Sequence, residues 1–63
     1  MFIELTNIRT GLPVLINFDN VASVEFAEQS VDYPQRSLIY FNNSAEVCVV
    51  SESFATVKRL IGI

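Results

Sequence analysis

Sixty-three residues with one cysteine, no histidine and a formal net charge of −3 exclude several classes of protein at once. A chain of this length holds one domain, residues 1–63, near the lower size limit at which a hydrophobic core sustains a fold alone. It has no partner thiol for an internal disulfide, no ligand set for a closed zinc site and no imidazole to activate a serine, so neither staples nor hydrolytic triads are expected.

The stretches at about 2–8 and 13–18 are rich in β-formers and are joined by Arg9-Thr10-Gly11-Leu12, where Gly11 can supply the positive φ of a hairpin turn. Pro13 opens the second strand, a position that costs no interior ladder bond. Asp19-Asn20 reads as an Asx-type turn leading into a third strand at about 22–28. There Ala22, Val24 and Phe26 alternate with Ser23 and Glu25, the pattern of a sheet with one buried and one wet face. From Gln29 to Arg36 no period is sustained, and Pro34 disfavours helix at Tyr33. This loop places Asp32, Tyr33 and Arg36 on one short segment, an acid, an aromatic and a base, and is the candidate ligand or partner loop.

The strands at about 37–42 and 45–50, linked by a turn at Asn43-Ser44, are apolar on both faces. If Phe41 opposes Glu46, then Tyr40 opposes Val47, Ile39 opposes Cys48 and Leu38 opposes Val49, each pair sharing a face. Ile39, Phe41, Cys48 and Val50 are expected to join Leu5, Val24 and a helix in the core. Leu38, Tyr40, Val47 and Val49 then form an outer face that marks an oligomer interface. Covering them is worth on the order of 6 kcal/mol before association entropy, at about 1.5 kcal/mol per side chain. The alternative is a sheet that curls into a half-barrel and shelters both faces itself.

A helix is predicted at about 52–61, with Ser51 as N-cap, Glu52 in the first turn, Phe54, Val57, Leu60 and Ile61 at helical spacing, and Gly62 as the stop. Lys58 and Arg59 suit the negative end of its dipole. The expected architecture is therefore α+β: a small twisted antiparallel sheet, a meander of five strands, with one C-terminal helix packed across it.

Seven carboxylates outnumber four cations, of which only Lys58 and Arg59 adjoin, so a nucleic-acid partner is not expected. Apolar runs are too short to span a bilayer and the N-terminus has no basic leader, which predicts a cytoplasmic protein without a membrane partner. Cys48, mid-strand, reads as a packed thiol. No catalytic, cofactor-binding or metal-ligating residues are assigned, and no cofactor is expected.

Met1-Phe-Ile-Glu-Leu-Thr6, Gly11, Leu15-Ile-Asn17, Asp19, Val21, Val24-Glu25, Ile39-Tyr-Phe41 and Val50-Ser-Glu-Ser53 with Val57 resemble the FlbD family of short bacterial proteins linked to flagellar operons. The likeness covers most of the chain outside Gln29 to Gln35, and each motif is short. The chain departs from the family in a longer loop over Gln29 to Arg36 and in lacking a lysine-rich C-terminal segment. Members of that family have no established catalytic activity, so the resemblance implies no active-site residues.

The function expected from these features is that of a small, non-enzymatic, self-associating interaction or adaptor protein of bacterial or phage origin. A homodimer is the default, and strand edges offer a larger ring. One alternative is a small-ligand or nucleotide-binding sink encoded by a virus or mobile element, with Tyr33 stacking a base and Arg36 holding a phosphate. Another is an inhibitor that docks on a host protein.

Overall fold

Five antiparallel strands and one helix build an α+β fold, here a computed structural model that describes residues 1–29, 31–32 and 35–63. Strand β1 (Phe2–Thr6) pairs with β2 (Pro13–Asn17), with Phe2 opposite Asn17 and Thr6 opposite Pro13. The hairpin turn closes through Gly11, at φ 73°, whose N–H donates to the Asn7 carbonyl at 2.8 Å. Strands β3 (Val21–Phe26), β4 (Ser37–Phe41) and β5 (Val47–Val50) form a second sheet in the order 3-4-5.

The five strands are thus divided between two sheets and do not form one continuous meander. A 3₁₀ turn at Phe18–Asn20 redirects the chain before β3 can add to β2. Its Asx residue is Asn17, whose side chain accepts from the Asp19 N–H at 3.1 Å. Asp19, expected to make that turn, instead pairs with the Met1 ammonium at 3.1 Å. The two sheets meet where β1 runs on past its end. An isolated antiparallel bridge joins Asn7 to Val50, the Ser51 N–H donates to the Thr6 carbonyl at 2.9 Å, and the Ile8 N–H donates to Val49 at 3.1 Å.

One core serves both sheets. Ile3 and Leu5 of β1, Ile16 of β2, Ile39 of β4, Val50 of β5 and Val57 of the helix are buried together, with Val24, Phe41, Cys48 and Ile61 packed against them. This is the inner face expected from the β4–β5 register, which pairs Leu38 with Val49, Ile39 with Cys48 and Tyr40 with Val47. The connection between these strands spans residues 42–46, so β5 starts two residues later than predicted.

Strand β3 departs from simple alternation. Its pairing with β4 shifts between Val21 and Ser23, so Ala22 is the extra residue of a bulge. Val21 and Val24 both pack on the core, while Ala22 and Phe26 are exposed. An inserted residue reverses the facing of everything before it, which is why a period of two misplaces Ala22.

Helix α1 (Phe54–Ile61) begins two residues after its predicted start. Its N-cap is Ser53, whose Oγ accepts from the Thr56 N–H at 3.1 Å, and not Ser51. Ser51 and Glu52 are held instead by β1. Both Glu52 carboxylate oxygens accept from Thr6, and the buried Ser37 hydroxyl donates to the Glu52 carbonyl at 2.8 Å, so these residues extend the sheet junction and the helix can only start beyond them. Gly62 ends it at φ 88°, donating to Lys58 and Arg59 carbonyls as a left-handed cap.

Candidate interaction face

The outer face of β4 and β5 carries Leu38 opposite Val49 and Tyr40 opposite Val47. The Asn7–Val50 bridge puts Ile8 next in line beside Val49, so an apolar row runs Leu38, Val49, Ile8 across three chain segments. Period-two reasoning places the first four side chains on this face. Ile8 joins them through a contact between residues far apart in sequence, for which the sequence carries no local signal.

Cover on this face is partial. Val47 is 44% exposed, whereas Leu38, Tyr40, Val49 and Ile8 are half-buried, each shaded by cross-strand neighbours. The arrangement lies between the two expectations of a bare face and a self-sheltering half-barrel. The inner side has its helix, through Val57 and Ile61, and the core of the described residues lies on that side, with Leu38, Tyr40, Val47 and Val49 outside it.

Charge is arranged along the face. Arg9 and Arg36 line a pocket of about 420 Å³ floored by Ile8 and Val49. A shallow concavity continues from Arg9 along β5 to Val47 and Glu46 at the opposite end. On β3, Glu25 stands opposite Leu38 and flanks the row. Arg9 and Arg36 thus lie at one end of the face, with Glu25 at the same strand level on β3, and Glu46 lies at the other end.

Of the predicted loop residues, Asp32 is exposed, Tyr33 lies outside the described residues, and Arg36 is half-buried with one guanidinium N–H donating to the Glu28 carbonyl at 3.2 Å. Arg36 lines one pocket with Arg9, from the first hairpin turn, and another with Phe26, Gln29 and Phe54. Cys48 sits on the inner side against the core, and burial pushes its thiol above the ordinary range. Elsewhere, an apolar groove of about 290 Å³ lies between α1 and β3, and Phe26 meets Phe54 edge-on at 6.4 Å.

No helix among the described residues is long and apolar enough to cross a membrane. Comparison with protein-family models, curated proteins and solved structures yields no match for this chain.

Proposed function

We propose that this chain is a non-enzymatic, self-associating interaction module whose outer β4–β5 face seats a second copy. The observation that carries the reading is the asymmetry of cover. Helix α1 is committed to the inner core, while Leu38, Tyr40, Val47, Val49 and Ile8 share the outer side, where among the described residues they stay partly exposed.

A second copy is the partner whose charges fit. A two-fold axis lying in the plane of the interface, perpendicular to the line from Arg9 and Arg36 to Glu46, lays the Arg9 and Arg36 end of one copy over the Glu46 end of the other, an isologous contact in which each pair occurs twice. Size sets the strength. Three strands and the Ile8 segment, at about 4.8 Å between strands and 3.4 Å per residue, cover roughly 300 Å². That is well below the ~800 Å² per partner of a standard stable interface, so the association is weak and concentration-dependent.

The FlbD resemblance implies no active-site residues, in keeping with this reading, and the free Cys48 suits a reducing, cytoplasmic setting. Light scattering on Tyr40→Glu tests the reading, with Leu60→Glu on exposed helix surface as control. The expected result is that Tyr40→Glu lowers the mass at high concentration and Leu60→Glu does not. Equal masses for all three proteins would refute it.

A further inference from the structure

Strand β3 lies at the edge of its sheet, and the ladder specifies which of its backbone groups face outward. The Val49 carbonyl accepts from Ile8 and the Ser51 N–H donates to Thr6, so the odd-numbered residues of β5 turn their backbone groups away from β4. Leu38 and Tyr40, opposite Val49 and Val47, must then bond toward β3, as the Asn42 N–H does in reaching the Asn20 carbonyl at 2.9 Å. Their partners there are Glu25 and Ser23. Val24 and Phe26 therefore point both N–H and C=O out of the sheet edge, where no bond meets them among the described residues.

The apolar groove of about 290 Å³ runs along this edge. Val21, Ala22, Ser23 and Val24 line it in succession, whereas a pocket over one sheet face is lined by alternate residues. Its other wall is α1, through Phe54 and Val57. Phe26, at the end of the strand, is 66% exposed even though its ring meets Phe54. Open backbone and an apolar trough thus lie side by side.

We propose that β3 takes an added antiparallel strand from a partner protein, an extended segment that reads apolar, basic, apolar. The residues of that strand opposite Val24 and Phe26 exchange both backbone bonds with them, and their side chains fall on the helix side, the face that Val24 shares with Ile39. Apolar side chains there cover Phe26 and enter the groove. The residue between them lies opposite Glu25, on the other face. Glu25 is exposed, faces Leu38 on β4 and has no ion pair among the described residues, so a lysine or arginine at that register position gains a cross-strand pair.

Strand β3 of a second copy does not meet this requirement. Setting Val24 against the Phe26 of the copy puts Glu25 directly opposite Glu25, and the shift that brings the two Val24 residues together sets Phe26 against Ala22, the bulged residue. The unpaired groups belong to the strand edge, so the inference does not rest on self-association through the outer face.

The probe is a capped seven-residue peptide with two valines flanking a central lysine and threonine elsewhere, followed at the Val24 and Phe26 amide resonances. One control peptide carries glutamate at the centre, and another carries N-methyl groups on both valines, which removes the donors that face β3. The proposal expects saturable shifts at both amides with millimolar lysine peptide, binding about threefold weaker for the glutamate peptide and about tenfold weaker for the N-methylated one. Glu25→Lys, on exposed surface and with its fold confirmed by melting temperature, should reverse the order of the lysine and glutamate peptides. Four results would overturn the proposal: no saturable shift at these amides, N-methylated peptide binding as well as its parent, an unreversed order in folded Glu25→Lys, or both amides shifting with protein concentration alone, which would make the occupant a second copy.

Discussion

Thr6 grips both oxygens of the Glu52 carboxylate, its backbone N–H donating to Oε1 and its hydroxyl to Oε2, each at 2.9 Å. These two residues are 46 positions apart, and their contact fastens the first hairpin to the segment between β5 and α1. Charge-assisted bonds of this kind are stronger than neutral ones, and a part-buried N–H left without its acceptor is costly. Glu52→Ala should therefore destabilise the fold by about 1–3 kcal/mol in urea denaturation, and Glu52→Gln by less, because the amide retains one acceptor. A wild-type midpoint for Glu52→Ala would show that the latch contributes nothing.

The true helix cap can be separated from its neighbour. Ser53→Ala removes the oxygen that accepts from Thr56 and should cost about 1 kcal/mol. Ser51 contributes its backbone N–H to Thr6, which alanine keeps, so Ser51→Ala should stay within about 0.5 kcal/mol of wild type. The reverse order in thermal melts would restore Ser51 as the cap.

These two serines also show where sequence reasoning stops. Strand identity, the β4–β5 register and the inward set of Ile39, Phe41, Cys48 and Val50 are legible because side-chain alternation is a local property. The capture of Glu52 by Thr6 is not, since neither residue carries a mark of the other, and with it goes the start of α1. The bulge at Ala22 hides for a different reason: one inserted residue leaves an apolar pattern that still reads as regular. The convergence of Arg9 on Arg36 follows from the Asn7–Val50 bridge, a long-range contact that composition and spacing do not encode.

Burial of Cys48 predicts a loss of stability in alkali. Burial raises its thiol pKa above the unfolded value, so below the unfolded pKa both states keep the proton and the thiol is neutral to stability. From about pH 8.5 upward the unfolded chain ionises first, and stability falls until pH passes the folded value. Denaturation midpoints for wild type and Cys48→Ala, compared across this range, should show a larger alkaline loss in wild type. Parallel curves would mean that Cys48 titrates alike in both states.

Seating a second copy on the outer sheet face is most directly tested by isotope-filtered nuclear Overhauser spectra on a mixture of labelled and unlabelled chains. Cross-peaks between copies should link the Tyr40 ring with the methyl groups of Val47, Val49 and Leu38, and should fade on dilution. Intermolecular peaks confined to the exposed Phe2 and Leu15 of the first hairpin, or to the groove between α1 and β3, would contradict the account, as would a single-copy mass at millimolar concentration.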